Sequence, residues 1–447
     1  MHKVLFIAYF FPPIGGSGVQ RPAKFVKYLP LFGWQPYVIA TDHVGGSEGV
    51  DESLLADVPP GVQVWRISTP HPQPVTKLQR WVGYHPPSPA PPGTAIQSVS
   101  GRRRNLFRRV RRAILSPLYL IQEPPVDRML WWSLRIVPLA YQIIRRAGIE
   151  VIFTTSPPWS LLLTGLVLKK VTGCPWVADF RDPWTTDQMR YPHRGWRRRL
   201  DSRLERLCLN VADRVVTVMP TWRDDLRRQA GTPTDCERFL LITNGFDHDD
   251  FVGIPSRTID RLDGKVVLFH AGSLYRGALM PLLQAFEHLE PAIADRLRVQ
   301  LIGYLHPDDE AQLSCSSVGR LFAYQPDRIG HPEAISRMRE AHVLLLPMPF
   351  DYYPGKVFEY MQVGRPVLAI AQPGAGADLV REVGIGCVVP PNDVDRLAHL
   401  LCQIALDYEG FVHQHYQPNW QMISQFDRRV LTGRLTEVFE EVARSGR

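Results

Sequence analysis

Cysteine is scarce in this sequence and shows no paired spacing. Six cysteines are scattered over 447 residues, and no CxxC pair occurs. Disulfide frameworks are typical of short secreted chains that are dense in cysteine. The composition therefore excludes a disulfide-stapled fold and predicts reduced thiols in the cytosol.

Long hydrophobic runs are also missing. No stretch of about 18 uncharged apolar residues occurs, which argues against a membrane-spanning helix. Residues 1–9 lead directly into an apolar strand, without the longer apolar segment and small-residue cleavage site of a signal peptide. We expect a cytoplasmic protein, and peripheral contact with the inner face of the cytoplasmic membrane stays open.

Acidic residues are absent from one strongly basic segment. The chain has 52 Lys and Arg against 44 Asp and Glu, and seven of the arginines lie in Arg102–Arg112. Without that segment the count is 45 to 44, which excludes a broad nucleic-acid-binding surface and predicts one local anionic partner. The apolar fraction of 45% and the charged fraction of 21% exclude a disordered chain.

The length suits two domains rather than one core. Short β-branched runs alternate with longer helical patterns, as is typical of parallel sheets covered by helices on both faces. The predicted strands are 3–8, 36–41, 62–67, 151–155, 176–179, 214–218, 265–271, 298–303, 320–323, 343–347, 366–371 and 386–389. Two such series in tandem predict an α/β protein with two doubly wound domains, separated near residues 244–260.

One region breaks the alternation. Residues 70–92 contain eight prolines and are followed by the arginine segment, so we predict an insertion at about 68–130 of the first domain. The helical patterns 113–121 and 129–144 come next, with Trp131 and Trp132 adjacent. Arginines followed by aromatic helices favour a membrane-surface element, and the alternative is a solvated loop before core helices.

A second basic stretch spans residues 194–206. It carries Asp201 and Glu205 in helical register. We interpret it as the charged face of an ordinary helix.

Glycines follow the first predicted strand and precede a helical pattern. Gly15, Gly16 and Gly18 would let backbone amides approach a ligand at a helix N-terminus, although a tight turn without a ligand explains them equally well. The spacing is not GxGxxG, and no acidic residue stands where a ribose partner is expected, so a dinucleotide fingerprint is absent.

Residues 349–370 hold the densest set of candidate groups. Asp351 leads through Pro354 and Gly355 into a helix that carries Lys356 and Glu359 in its first turns. Lys356 beside free helix amides predicts a phosphate site, and the Glu359 carboxylate could accept two ribose hydroxyls. The alternative is that Glu359 offsets the helix dipole while Lys356 is solvated.

Two Asp-x-Asp triplets raise the question of a divalent ion. Residues 247–249 lie in the predicted interdomain loop, and residues 393–395 are interpreted as a strand-to-helix cap. We predict no metal site.

Nearly the whole chain resembles the GT-B glycosyltransferases of family 4, the retaining, nucleotide-sugar-dependent group 1 enzymes. Residues 351–359 resemble the family's Glu-x7-Glu motif, with Asp in the first position, and 354–361 its P-x-K-x-x-E-Y form. Residues 269–277 are similar to the G-R-L-x-x-x-K-G loop, and residues 244–251 to the interdomain N-G-V-D-x-x-x-F. The loop at 13–18 also corresponds.

The resemblance implies a fold and an activity. The fold is GT-B, in which two Rossmann-like domains face each other across a cleft. The first domain would span residues 1–245 and the second residues 246–425. A C-terminal helix at 426–447 would pack back toward the first domain. The implied activity is transfer of a hexosyl unit from a nucleotide-sugar to a glycan or lipid-linked acceptor. The implied pathway is the biosynthesis of cell-surface polysaccharides. The nucleotide-sugar is a co-substrate, and no cofactor is implied.

The resemblance also implies roles for single residues. Arg276 and Lys356 stand where family cations contact the donor diphosphate, Glu359 where an acid holds the ribose, and Asp351 where an acid lies near the donor sugar. Gly15, Gly16, Gly18 and Gly355 line the donor, and Ser273 replaces the usual Arg. His193, Arg181 and Asp182 fall on the acceptor side.

Two other functions stay open. A sugar-nucleotide epimerase shares the two-domain fold, and a non-catalytic membrane-associated scaffold could bind a nucleotide-sugar without transferring it. The sequence identifies neither the sugar, the nucleotide, the acceptor nor the oligomeric state.

Overall fold

The computed structural model describes residues 1–43, 49–69, 125–186, 195–231, 237–255, 264–327 and 329–445. In this part of the chain the strands form two sheets, and every pairing between neighbouring strands is parallel. The prediction of an α/β protein with two doubly wound sheets is confirmed.

The first sheet has seven strands in the order β3-β2-β1-β4-β5-β6-β7. Their bounds are β1 His2–Ile7, β2 Trp34–Thr41, β3 Gln63–Ile67, β4 Val151–Ser156, β5 Trp176–Phe180, β6 Arg214–Thr217 and β7 Phe239–Leu241. Strand β1 is central, with Val4 opposite Pro36 on one side and Val151 on the other. The strand order therefore reverses between β1 and β4.

The second sheet has six strands in the order β10-β9-β8-β11-β12-β13. Their bounds are β8 Val266–Ala271, β9 Leu297–Ile302, β10 Phe322–Gln325, β11 Val343–Met348, β12 Val367–Ala371 and β13 Gly386–Val389. Here the order reverses between β8 and β11, where Leu344 lies opposite Phe269.

Helices cover both faces of each sheet. In the first half they are α1 Ser17–Tyr28, α2 Leu130–Arg135, α3 Val137–Ala147, α4 Ser160–Thr172, α5 Trp196–Val211 and α6 Pro220–Ala230. In the second half they are α7 Met280–Glu287, α8 Pro291–Ala294, α9 Pro307–Cys315, α10 His331–Glu340, α11 Gly355–Val363, α12 Ala375–Glu382, α13 Val394–Leu406, α14 Tyr408–His415, α15 Trp420–Ile423 and α16 Arg428–Ser445. A 3-10 turn at His248–Phe251 lies in the segment that joins the two sheets.

The core consists of an apolar layer on each side of each sheet. In β1, Leu5 and Ile7 pack into one cluster while Val4 and Phe6 pack into another. Successive side chains of a strand point to opposite faces, so a strand that is buried on both faces must be apolar throughout. This is the physical reason for the continuous apolar runs in the sequence.

Helix α16 packs on the first sheet although it follows the second sheet in sequence. Leu431, Leu435 and Phe439 share an apolar cluster with Phe6 and Phe153. Within the described ranges, the chain therefore passes between the two sheets at two places, once through the His248–Phe251 segment and once just before α16.

The structure differs from the sequence prediction in two elements. Strand β7 was not predicted, because its three residues are too few to show a period. The prediction that Asp201 and Glu205 belong to an ordinary charged helix face is wrong, because both are fully buried in α5 while Arg198 and Arg203 are exposed.

The aromatic segment after the insertion forms α2 and α3. Trp132 is fully buried and donates from Nε1 to the Ile67 carbonyl at 2.8 Å, whereas Trp131 is 42% exposed. Segments 70–92, 102–112 and 113–121 lie outside the described residues. No helix in the described ranges is both long and apolar enough to cross a bilayer.

Candidate functional site

The candidate site lies where each sheet reverses its strand order. Loops that leave neighbouring parallel strands in opposite directions open a crevice at the carboxyl edge of the sheet. The glycine loop follows β1, beside the reversal in the first sheet, and the segment from Asp351 to Glu359 follows β11, beside the reversal in the second. The residues predicted in each domain thus lie at the edge where a parallel sheet binds its ligands.

The glycine loop is fixed by backbone contacts. The Gly15 amide donates to the Gly49 carbonyl at 3.1 Å, and Gly16 has φ 92°, a conformation that favours glycine, immediately before α1. The Gly18 carbonyl accepts from Nη1 of Arg181 at 2.7 Å. A side chain at Gly18 would begin 3.0 Å from that nitrogen, so this guanidinium lies directly against the loop.

Two of the three predicted acceptor-side residues are described. Arg181 and Asp182 follow β5 and are half-buried, and their charged groups are 3.9 Å apart. His193 lies outside the described residues.

Helix α11 holds the most compact set of predicted groups. Its N-terminus follows Pro354 without a side-chain cap, and Gly355 is exposed there. Lys356 Nζ lies 3.3 Å from Glu359 Oε2. Burial alone would raise the pKa of Glu359, but the charges of Lys356 and His331 lower it below its ordinary value. The carboxylate is therefore ionised and able to accept ligand hydroxyls.

Gly272 brings the loop after β8 against Lys356. Its φ of 147° favours glycine, and a side chain there would begin 3.3 Å from Lys356 Cε and 3.4 Å from Nε2 of His270. His270 is buried, and burial lowers its pKa to about 4 even though Nδ1 donates to the Leu345 carbonyl at 3.0 Å. The imidazole is neutral at pH 7, and its Nε2 has no hydrogen-bond partner among the described residues.

The rest of this loop is more exposed. Ser273 and Arg276 both face solvent, and Nη2 of Arg276 lies 2.8 Å from Oδ2 of Asp308. Such exposed ion pairs contribute little to stability. The Gly277 amide donates to both carboxylate oxygens of Asp309, at 3.0 and 2.8 Å, which fixes the loop after Arg276.

Asp351 contacts a neighbouring helix. Its Oδ1 accepts from the Gly376 amide at 3.0 Å, in the first turn of α12. Gly374 leaves the necessary space, since a side chain there would begin 2.5 Å from Asp351 Cγ. A carboxylate in this position satisfies an unpaired helix amide and interacts favourably with the helix dipole.

Three carboxylates surround a buried lysine at the segment that joins the sheets. Lys24 of α1 places Nζ 2.8 Å from Asp57, 2.7 Å from Asp247 and 2.5 Å from Asp250. Within the described ranges, this is the one set of three acidic groups close enough together to share a metal ion, and Lys24 lies among them. Of the other triplet, Asp393 caps α13 by accepting from the Arg396 amide at 3.2 Å, as predicted.

Sequence reasoning missed His331, the first residue of α10. Its Nε2 lies 3.3 Å from Oδ2 of Asp250, and its Nδ1 lies 3.9 Å from Oε1 of Glu359. A histidine that follows a strand and opens the next helix stands at the carboxyl edge of the sheet, and this position was the available signal. Sequence reasoning also missed Lys24, whose burial no local pattern indicates.

Arg428 is a further buried group near the site. It opens α16, and its Nη1 has no hydrogen-bond partner among the described residues. Burial and the nearby charge of Arg21 lower its pKa to about 9, while Asp247, Glu359 and Asp250 act in the opposite direction. Arg428 therefore places a positive charge close to Asp247, Asp250 and Glu359.

Two surface depressions lie elsewhere. One is bounded by β7 and α16 and lined by Leu240 and Val438, and the other is lined by Tyr37 and Trp65. Neither contains a predicted site residue.

Comparisons with known proteins bear on the family and on the fold. The family model described as Glycosyltransferase Family 4 matches residues 99–250, and the one described as Glycosyl transferases group 1 matches residues 265–407. No curated protein matches the chain.

Solved structures match over essentially the whole length. Sucrose-phosphate synthase from Thermosynechococcus elongatus is 15% identical, with a TM-score of 0.64 and coverage of 100% of both chains. HepE from Anabaena, solved in complex with UDP-glucose, is 15% identical, with a TM-score of 0.64 and coverage of 99% of this chain and 100% of that one. The lipopolysaccharide outer core galactosyltransferase WaaB is 11% identical, with a TM-score of 0.57 and coverage of 98% and 99%.

At these identities the structural matches show the fold, which is GT-B with two Rossmann-like domains. The two family models cover about two thirds of the chain, one on each domain. The chain belongs to the group 1 glycosyltransferases of family 4.

Proposed function

We propose that this glycosyltransferase moves a sugar, with retention of configuration, from a nucleotide-sugar to a glycan or lipid-linked acceptor in cell-surface polysaccharide biosynthesis. The observation that carries the proposal is the ionised Glu359 paired with Lys356 beside the side-chain-free Gly272. The three lie at the carboxyl edge of the second sheet, where the strand order reverses. A carboxylate and a cation so arranged suit a ribose and a diphosphate.

In this proposal the chain itself supplies the charge that the reaction needs. Cleavage of a sugar–phosphate bond places negative charge on the departing diphosphate, and preorganised cations and amides stabilise that charge. Lys356, Arg276 and the N-terminus of α11, which begins at Gly355 without a side-chain cap, take this role. We therefore propose catalysis without a bound metal.

The donor sugar and the acceptor would occupy the cleft between the two sheet edges. Asp351 would contact the donor sugar, with Ser273 and the glycine loop of Gly15, Gly16 and Gly18 lining the donor. Arg181, Asp182 and His193 would face the acceptor. The hydrogen bond from Arg181 to Gly18 supports this arrangement, because it joins the donor-side loop to the acceptor side.

We propose cytoplasmic localisation with peripheral attachment to an anionic membrane surface. Helices α2 and α3 support this, since Trp131, Leu134 and Tyr141 are exposed near Arg135 and Arg145. Aromatic and basic side chains on one surface suit the membrane interface. Attachment is tested by sedimentation with anionic vesicles at low salt, and binding that survives replacement of all seven arginines in Arg102–Arg112 would exclude that segment as the contact.

Donor binding is tested by thermal shift with UDP-glucose, GDP-mannose and ADP-glucose. UDP-glucose comes first because HepE was solved with it. A ligand at a hundredfold excess over its dissociation constant stabilises the native state by about 2.7 kcal/mol. We expect one donor to raise the melting midpoint of the wild type and of the control Glu409→Gln, an exposed glutamate, but not that of Glu359→Gln. If no nucleotide-sugar stabilises the wild type, the donor site is refuted.

Turnover separates transfer from the two other functions. A transferase releases nucleoside diphosphate only when an acceptor is present, and NMR of the product reports the anomeric configuration. An epimerase converts the donor without an acceptor. A scaffold binds the donor and releases nothing.

A further inference from the structure

A histidine at the start of α10 lies between the donor-site carboxylate and the segment that joins the sheets. His331 places Nε2 3.3 Å from Oδ2 of Asp250 and Nδ1 3.9 Å from Oε1 of Glu359. One imidazole therefore faces two acidic groups, one on each ring nitrogen.

The contacts continue on both sides of this imidazole. Asp250 also contacts Lys24 of α1 at 2.5 Å, and Glu359 also contacts Lys356 at 3.3 Å. Charges alternate in sign along the whole series, from the helix after the glycine loop to the helix of the donor site. The series spans both domains.

We propose that His331 is a positioning residue that orients Glu359 for the nucleotide ribose and makes donor affinity depend on the charge of its imidazole. The inference rests on the proposed function, in which Glu359 binds the ribose. It adds a residue that would not touch the donor but would act through Glu359 and the connecting segment.

The geometry gives His331 this role because a carboxylate needs a fixed plane to accept two hydroxyls at once. Lys356 contacts Oε2 of Glu359 and His331 faces Oε1, so the two cations bracket the carboxylate. Asp250 holds the far side of the imidazole in turn. Loss of the charge on His331 would leave Oε1 without its cation.

The surrounding charges favour the imidazolium. Burial by itself would lower the pKa of His331, but the hydrogen bond to Asp250 and the charge of Glu359 raise it above its ordinary value, against a smaller effect of Lys356. Lys24 and Arg428 lie near the same acids and stay charged over the neutral range. His331 is therefore the group of this series whose charge changes near neutral pH.

Donor affinity is highest when His331 is protonated and falls as the pH rises through its raised pKa. The expected loss of donor affinity is about tenfold, which is on the order of the contribution of one hydrogen bond to a charged group. Glu359, with its lowered pKa, stays ionised throughout the range from about pH 5.5 to 8.5.

The test is calorimetric titration across that pH range with the tightest binder of UDP-glucose, GDP-mannose and ADP-glucose. The phosphodiester groups of these probes do not titrate there. We expect a step in the dissociation constant of the wild type and none in His331→Gln, whose affinity should equal the weak, high-pH value of the wild type. His288→Gln is the matched control, since His288 lies 3.3 Å from Asp395 on the surface and should keep the step.

A second variant tests the inference without replacing His331 itself. Asp250→Asn removes one of the two carboxylates that raise the pKa of His331. The step should therefore move to lower pH, and NMR titration of the imidazole should show the same displacement without any ligand. If His331 acted in folding alone, Asp250→Asn would lower the melting midpoint and still move the imidazole titration, but the dissociation constant would show no step in either the wild type or the variant.

The outcomes separate the inference from the proposed function. Donor binding that is independent of pH, or a step that persists in His331→Gln, overturns the role of His331 and leaves the donor site intact. Absence of binding by all three nucleotide-sugars refutes the donor site and the inference with it.

Discussion

At the scale of single residues, the most consequential feature is a cation with almost no contact with water. Lys24 is 1% exposed and lies within 2.8 Å of Asp57, Asp247 and Asp250. Burial alone would lower its pKa, but the three carboxylates raise it. A buried charge is tolerated only with such partners, because its desolvation is expensive.

We predict that Lys24→Met destabilises the protein by about 3–5 kcal/mol, because removing one member of a buried ionic group leaves the others without compensation. Urea denaturation measures the loss. The matched control is Lys170→Met at an exposed position, which should change stability by less than about 0.5 kcal/mol. Equal effects of the two variants would contradict the buried cluster.

The carboxyl group of Glu205 is a second buried ionisable group. Burial raises its pKa to about 7, although hydrogen bonds from Thr185 oppose the shift. For an acid with a raised pKa, the contribution to stability is complete below the unfolded pKa and is lost as the pH rises through about 7. The wild type should thus lose up to about 3 kcal/mol of stability between about pH 4 and pH 8 relative to Glu205→Gln.

Urea midpoints at a series of pH values measure this difference. Glu409→Gln serves as the exposed control and should follow the wild type at every pH. Parallel pH profiles for the wild type and Glu205→Gln would show that the carboxyl group is solvated.

At the scale of elements, two helices begin at the same edge of the second sheet with different N-termini. Helix α12 has the carboxylate of Asp351 on its first turn, whereas α11 begins without a side-chain cap. Unpaired amides at a helix start attract an anion. In the proposed function, the uncapped N-terminus of α11 is therefore available to the donor diphosphate. Asp351 has a structural contact with α12 in addition to its proposed contact with the donor sugar.

These two roles of Asp351 can be separated by substitution. Asp351→Ala should destabilise the protein by about 1 kcal/mol through loss of the cap, while Asp351→Asn should keep the cap and the stability. If Asp351 also contacts the donor sugar, Asp351→Asn should still lose transferase activity. Denaturation and turnover are measured on the same samples, and a fully active Asp351→Asn would limit Asp351 to capping.

At the scale of the whole molecule, the two passages of the chain between the domains are joined to each other. The Phe246 amide donates to the Phe426 carbonyl at 3.1 Å, and the Arg428 amide donates to the Phe246 carbonyl at 2.8 Å. Gly245 makes this approach possible, because a side chain there would begin 2.1 Å from the Phe426 oxygen. A side chain at position 245 would therefore force these two passages apart.

We predict that Gly245→Ala lowers both the melting midpoint and transferase activity, since backbone atoms on both passages must move apart. Gly330→Ala is the control, because the nearest atom to its side chain would be Pro332 Cδ at 3.9 Å. Calorimetry measures the melting midpoint of both variants, and a turnover assay measures their transferase activity. A melting midpoint and an activity of Gly245→Ala equal to those of the wild type would show that the two passages can separate without consequence.

The fold class, the family and all of the described strands except β7 were predictable from the sequence alone. Twelve predicted strands overlap observed ones, because strands buried on both faces need apolar residues throughout and such runs are visible locally. The segment from Asp351 to Glu359 was recognisable for the same reason, since a loop, a helix start and its first turns are contiguous in the chain.

Contacts between side chains that are far apart in the sequence follow from the folded structure and not from any local pattern. Lys24 and Asp250 are 226 positions apart, and Arg181 and Gly18 are 163 apart. Their contacts follow from the order of strands within each sheet and from the two passages between the sheets, which no local periodicity encodes. The acids of α5 were not predicted to be buried, because burial is a property of the packed molecule rather than of the residue. The contacts of His331 with Asp250 and Glu359 were not predicted either, because they join separate parts of the chain.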